Sequence, residues 1–364
     1  MIDRWDAECP PREERSPLRV LFICKHRMDS GGSGYDCHSG LRASVEMVVA
    51  MLVEQLGLEA KVVDVVDNND IDRETHDYRP DVVILEALWV VPEKFDELIS
   101  LHPFVTWCVR VHSEVPFLAS EGIATAWLAG YLDRGVLVAF NSERTANDYR
   151  GYDNATHMRG GLIRWLPNYY PPVRVRWMPR PVSPAPYPLW VGCFGAIRPM
   201  KNQMIQAQAA IALAHRRRQP LQFFINAGRV EMGGEAVLQN IRGLFAHRGP
   251  DYRLMELPWL PRREFLEWCS WMDLGMQVSL SESYNMVAAN LVSVGTPVVA
   301  STEVRFIAPR FQAKATDVRD IVRKAERALA WAAVPLNAWR LNRSSIAAKR
   351  QWRDALVGTQ DLGL

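Results

Sequence analysis

From residue 279 the sequence reads SLSESYNMVAANLVSVGTPVVAS. One carboxylate, Glu282, stands among small polar residues just ahead of a helix-like run. Backbone N–H groups at such a helix start, here around Ser283, Tyr284, Asn285 and Met286, face an anion, while a carboxylate accepts hydrogen bonds from hydroxyls. Eight positions after Glu282 stands Asn290, whose amide carbonyl is a second acceptor. In GCFGAIRPMKNQ, Arg198 and Lys201 lie three residues apart in the turn after Gly195. Two cations at a helix entrance clamp a diphosphate, the guanidinium through paired hydrogen bonds and the ammonium as a point charge. RVHSEVP puts His112 just past an apolar run, where an imidazole can exchange hydrogen bonds with a polar substrate near neutral pH; a satisfied structural histidine is an equal alternative. KHRMDSGGSGYDCHSG carries Gly31, Gly32 and Gly34, which let backbone approach a ligand closely. Cys37 occupies the place of the third glycine of GxGxxG, so this is a ligand-facing loop and not a dinucleotide fingerprint.

Ligands of open parallel sheets sit beyond the carboxyl ends of strands, so these residues need strands behind them. LRVLFIC, AKVVDVV, PDVVILEAL, FVTWCVRVH and GVLVAFNS are apolar runs separated by helical patterns, as a parallel sheet covered on both faces requires. The rhythm breaks at 168–188, where seven prolines fall in NYYPPVRVRWMPRPVSPAPYP, and restarts with LWVGCFGAI. The expected architecture is α/β, two doubly wound Rossmann-like domains facing across a cleft. Residues 1–17 are expected to form a loose arm, 18–167 the first domain, 168–188 the linker and 189–330 the second domain. Helices over 331–364 are expected to pack back on the first domain. DID at Asp70–Asp72 reads as a solvated turn after the second strand, with no metal expected. Trp89, Trp107, Trp127, Trp165, Trp331, Trp339 and Trp352 read as packing residues ahead of stacking platforms.

Composition excludes several classes. No apolar run approaches the roughly 18–20 residues needed to span a bilayer, and the charged N-terminus MIDRWDAECPPREERSPLRV lacks a signal peptide's apolar stretch. The expected place is the cytoplasm. The six cysteines have neither zinc-ligand nor disulfide-framework spacing. The net charge of +2 hides an asymmetry, because residues 1–180 carry 20 Lys and Arg against 27 Asp and Glu, and residues 181–364 carry 23 against 14. A basic second half suits phosphates, or another polyanion along HRRRQP (215–220). Nothing in the sequence reads out an oligomeric state.

These motifs together resemble GT-B-fold retaining glycosyltransferases of the glycosyl transferases group 1 (family 4) type. The family's pattern is Ser-x-x-Glu, seven residues, Glu, then small-x-Gly-x-Pro-Val-Val-Ala; this chain has SLSE, seven residues, Asn290, then LVSVGTPVVAS. Arg198 and Lys201 match its cationic pair at the donor diphosphate, His112 its acceptor-side histidine, Gly31–Gly34 its glycine-rich turn and WLPN (165–168) the close of its first domain. The resemblance covers most of residues 19–330 and is strongest from 189 to 301. It implies a nucleotide-diphosphate sugar as co-substrate, no further cofactor, and metal-independent transfer with retention. The acceptor it implies is a hydroxyl on a glycan, a lipid or hydroxymethylated viral DNA. It implies that Glu282 holds the donor sugar, with the 283–286 loop, Gly31, Gly32 and Gly195 around the donor. Asn290 stands where the family has an acid for the ribose, and Glu-Ser-Tyr-Asn replaces Glu-Gly-Phe-Gly, which implies an altered ribose contact or an unusual donor. Those departures keep open a relative that binds a nucleotide sugar or glycan without turnover.

Overall fold

The computed structural model describes residues 17–26, 40–174, 187–330 and 333–357. The first unit runs β1 (Arg19–Lys25), α1 (Gly40–Leu56), β2 (Glu59–Val65), α2 (Asp70–Tyr78), β3 (Val82–Glu86) and α3 (Lys94–Leu101). It continues with β4 (Thr106–Val111), α4 (Val115–Leu118), α5 (Ala124–Asp133), β5 (Leu137–Phe140), α6 (Glu143–Thr156) and β6 (Ile163–Trp165). Its six strands are all parallel, in the order β2-β1-β3-β4-β5-β6. Successive side chains of a strand face opposite ways, and β1 uses both faces. Val20, Phe22 and Cys24 enter one apolar cluster, Leu21 and Ile23 another.

The second unit runs β7 (Leu189–Gly192), α7 (Gln203–Arg217), β8 (Leu221–Asn226), α8 (Gly234–Ala246), β9 (Tyr252–Leu257) and α9 (Arg262–Trp271). Then come β10 (Leu274–Gln277), α10 (Met286–Ser293), β11 (Val298–Ser301), β12 (Gln312–Ala313), α11 (Val318–Leu329) and α12 (Ala333–Leu356). Its strands are parallel too, ordered β12-β11-β10-β7-β8-β9. At Gly275 a Cβ would stand 2.5 Å from Leu291 Cδ1, so glycine is what lets α10 lie close on β10.

Helix α12 crosses back to the first unit. Its Trp352 is fully buried, 5.8 Å from Phe22 between ring centroids, and its indole N–H donates to the Pro167 carbonyl at 2.8 Å. The segment 168–174, read from its prolines as linker, also enters the core, with Tyr169 and Tyr170 both buried. One apolar cluster therefore runs from β1 through these tyrosines into the second unit.

Several sequence readings change. Asp70 and Asp72 do not sit in a solvated turn; they open α2. Asp70 accepts from the Val66 and Asp67 backbone N–H groups, and Asp72 pairs with His102 Nε2 at 2.7 Å. Four carboxylates and a threonine in nine residues hide a helix whose buried face is only Ile71 and Thr75. Trp339 is no packing anchor: it is 51% exposed, with the Arg343 guanidinium over its ring. The arm over 1–16, the loop with Gly31, Gly32 and Gly34, residues 175–186 and Trp331 lie outside the described residues. Among the described residues, no helix is long and apolar enough to cross a membrane.

Candidate active site

The carboxyl ends of both sheets face one another, and the 279–286 loop between β10 and α10 lies there. Glu282 is held through a single oxygen. Its Oε1 takes an ion pair from Lys201 Nζ and hydrogen bonds from Ser279 Oγ at 2.8 Å and Asn285 Nδ2 at 3.1 Å. No donor among the described residues takes Oε2. Asn285 is buried and does two jobs. Its Oδ1 caps α10 by accepting from the Ala288 N–H at 2.7 Å, and its Nδ2 also donates to Gln277 Oε1 at 3.0 Å. Ser283 Oγ donates to the His112 carbonyl at 2.6 Å, and the half-buried Tyr284 ring packs 5.4 Å from Phe306. Met286 opens α10. Each residue that breaks the glycine-rich pattern of the loop thus has a structural task.

Gly195 lies three residues beyond β7, with φ +110, a conformation that favours glycine. Its N–H donates to Asn226 Oδ1 at 2.9 Å, which ties this turn to the end of β8. The turn leads to Arg198 and Lys201 ahead of α7. The Arg198 guanidinium is 3.6 Å from Glu231 and lies over the Phe117 ring of the first unit at 5.1 Å. Glu231 also takes Arg229 Nε at 2.6 Å, and Arg229 lies over Trp259. Around this turn three cations (Arg198, Lys201, Arg229) face two acids, Glu231 and Glu282.

Asn290 is buried on the second turn of α10. Its carbonyl is already engaged: Tyr170 OH donates to Oδ1 at 2.9 Å and Arg262 at 3.4 Å. The acceptor that the sequence offers to a ribose is spent on tying α10 to the chain crossing between the units.

On the first unit, His112 follows β4. Its Nε2 meets the carboxylate of Glu86, which is fully buried at the end of β3. Arg110 Nη1 donates to both Glu86 oxygens at 3.2 Å, and the same guanidinium donates to the Leu166 carbonyl at 2.9 Å and to Asn168 Oδ1. Burial raises the Glu86 pKa, but Arg110 and His112 outweigh it and hold the carboxyl below its ordinary range. For His112 burial is the main influence and lowers its pKa, with the Glu86 charge pulling the other way. A neutral imidazole between those groups donates Nε2–H to Glu86 and leaves the Nδ1 lone pair toward Asn141 Nδ2, 3.4 Å away.

The units are latched together. Arg144 Nη2 reaches Glu303 at 2.6 Å and Glu114 at 3.0 Å, so one guanidinium joins α6 to the loop after β11. With the Ser283–His112 and Arg198–Phe117 contacts, this holds the two sheet ends closed on one another.

No protein-family model and no curated protein sequence matches this chain. Solved structures do. Sucrose-phosphate synthase from Thermosynechococcus elongatus superposes at TM-score 0.63 and 13% identity, covering 95% of this chain and 100% of that one. The UDP-forming α,α-trehalose-phosphate synthase from Burkholderia vietnamiensis gives 0.63 at 11% identity, covering 96% and 98%. The E. coli trehalose-6-phosphate structure bound with UDP-2-fluoro glucose gives 0.65 at 11%, covering 95% and 99%. The fold is GT-B. At these identities the likeness is one of fold.

In this GT-B chain, Glu282, Lys201, Ser283, Asn285 and His112 are brought into one connected group, with Arg198 and Gly195 on the neighbouring turn. Asn290 stands apart from that group, and Gly31 and Gly32 are outside the described residues. Glu86, Arg110, Asn141, Arg144, Arg229 and Glu231 were not singled out as site residues from the sequence. Two of them leave a signal there: Glu86 and Arg110 are isolated charges in apolar strand runs, and they are register partners on β3 and β4.

Proposed function

We propose that the chain is a glycosyltransferase that moves a sugar from a nucleotide-diphosphate donor to a hydroxyl acceptor. The observation that carries this reading is Glu282, tethered through Oε1 beside Lys201 and with Oε2 left without a donor among the described residues, an acceptor a sugar hydroxyl could take. Arg198 and Lys201 would meet the charge that grows on the departing diphosphate. Fixed cations and helix-end amides stabilise such charge without reorganising. Binding the diphosphate exchanges the Lys201–Glu282 pair for a Lys201–phosphate contact. That frees Glu282 to accept from the sugar. His112, neutral and donating to Glu86, keeps its Nδ1 acceptor 3.4 Å from Asn141 Nδ2, and a hydroxyl of sugar or acceptor would compete with that long contact for it.

We take transfer to proceed with retention and without a metal, as the family-4 resemblance implies. The acceptor belongs among glycans, lipids and hydroxymethylated DNA. Since two of the neighbouring structures are named for UDP or a UDP-sugar, UDP-sugars are the first donors to try. The engaged carbonyl of Asn290 favours one alternative, a GT-B protein that holds a nucleotide sugar without turning it over.

A screen of labelled UDP-, GDP- and ADP-sugars against glycans, lipids and hydroxymethylated DNA separates the two. Release of nucleotide coupled to a labelled product supports the transferase. Tight nucleotide-sugar binding with no product across the screen supports the non-catalytic reading.

A further inference from the structure

A cleft of about 730 Å³ opens between α7 and α8 at the amino end of the second sheet. Ile211 and His215 line it from α7, Leu244, His247 and Arg248 from α8 and the turn after it, and Tyr252 from the start of β9. Strand β8 runs from Leu221 at this end to Asn226 at the other, where Asn226 holds Gly195. Those six residues put about 17 Å of sheet between the cleft and the candidate active site.

The surface around the cleft is strongly basic. Residues 208–219 and 244–253 carry Arg216, Arg217, Arg218, Arg248, Arg253, His215 and His247 against one acid, Asp251. Arg216 is paired with Glu326 of α11, and Arg242 of α8 with Glu256 of β9. His215, Arg218, His247 and Arg248 are exposed and have no acid partner among the described residues. Cations in the last turn of a helix commonly answer its free carbonyls. At the end of α7 the backbone already does so, since the Arg218 N–H closes on the Ala214 and His215 carbonyls.

We propose that this cleft binds an organic phosphate monoester, with the phosphoryl group on the rim of His215, His247 and Arg248 and the carbon body over Ile211, Leu244 and Tyr252. A dianionic phosphoryl group accepts from several donors at once, and a guanidinium fork with two imidazoles supplies them. A carboxylate would leave part of that rim unused. The volume falls within the roughly 300–1,000 Å³ of small-molecule sites, which likewise set a few polar groups around an apolar floor. None of these residues touches the Glu282 group, so the cleft and the proposed transferase site can be filled together.

Ligand-observed NMR titrations with phenyl phosphate, inorganic phosphate and benzoate test this on the full chain. The same titrations on Arg198→Ala/Lys201→Ala remove the cations of the other site. Phenyl phosphate is expected to bind tightest in both, because inorganic phosphate lacks the carbon body and benzoate the second charge. Arg248→Gln should weaken it about two- to fivefold, the scale of an exposed ion pair, and Arg248→Gln/His215→Gln about tenfold. Arg350→Gln, which removes one exposed charge from α12, should leave it unchanged. The idea is overturned if phenyl phosphate does not bind, if benzoate binds as tightly, or if Arg198→Ala/Lys201→Ala abolishes the binding. It is equally overturned if the Arg248 and His215 variants leave binding intact, or if Arg350→Gln weakens it as much as they do.

Discussion

Asn285 is the residue on which the loop geometry can be tested most sharply. Asn285→Ala removes the cap on α10, worth about 1 kcal/mol. It also strips the donor from Gln277 Oε1, whose side chain is 2% exposed; a buried acceptor left unpaired costs about 1–3 kcal/mol. The sum is about 2–4 kcal/mol. For a unit of this size each kcal/mol moves the melting midpoint by about 2–4 °C, so a fall of roughly 5–15 °C is expected. Asn285→Ser keeps an oxygen for the cap and loses only the donor, so it should recover about 1 kcal/mol of that loss. Both variants release Glu282 from one of its three ties, so both should turn over more slowly while still binding UDP. Scanning calorimetry gives the midpoints and titration calorimetry the UDP affinity. If Asn285→Ala melts within 1–2 °C (about 0.5 kcal/mol) of the parent, the cap and the Gln277 bond contribute nothing and this account of the loop is wrong.

Other consequences are direct. The Arg198→Ala/Lys201→Ala double variant should weaken UDP or GDP by a few kcal/mol, since charged hydrogen bonds are each worth about 1.5–3 kcal/mol; unchanged affinity by calorimetry would remove the pair from the diphosphate. Turnover should persist in EDTA, and loss that Mn²⁺ restores would overturn metal independence. The product should keep the donor's anomeric configuration by NMR, and Glu282→Gln should cut turnover without abolishing nucleotide binding; an inverted product defeats the assignment. His112 has its pKa depressed on folding, so its contribution to stability is present above the ordinary 6.5 and is lost as pH falls from there toward its folded value. One such proton amounts to at most about 1.4 kcal/mol per pH unit. Thermal melts from pH 7 to 5 should therefore fall less steeply in His112→Gln than in the parent.

The strands and the Glu282 loop were legible because their signals are local: apolar runs between turns, and small polar residues ahead of a helical pattern. The Pro-rich stretch correctly marks the crossing between units, but its first residues carry Tyr169 and Tyr170 into the core, which proline counting does not weigh. The Arg144–Glu303 latch joins residues 159 apart, and no local pattern announces it. Glu86 left a trace, a lone acid at the end of VVILE, but its meaning depends on Arg110 and His112 meeting it across the sheet. Asn290 was readable as an acceptor, but sequence could not tell that Tyr170, 120 positions earlier, would take that acceptor.

The return of α12 bears on how this protein is made. Trp352 fills a place beside Phe22, under the Arg110 guanidinium and against the Pro167 carbonyl. The first unit leaves the ribosome with that place vacant and one side of the buried Glu86–Arg110 pair uncovered. At about 5–20 residues per second, the roughly 180 residues separating Pro167 from Trp352 take about 10–40 s to synthesise. For that interval the nascent first unit can form its strands but cannot finish its core. A message cut short before codon 352 would thus yield a defective first unit as well as a shortened second one.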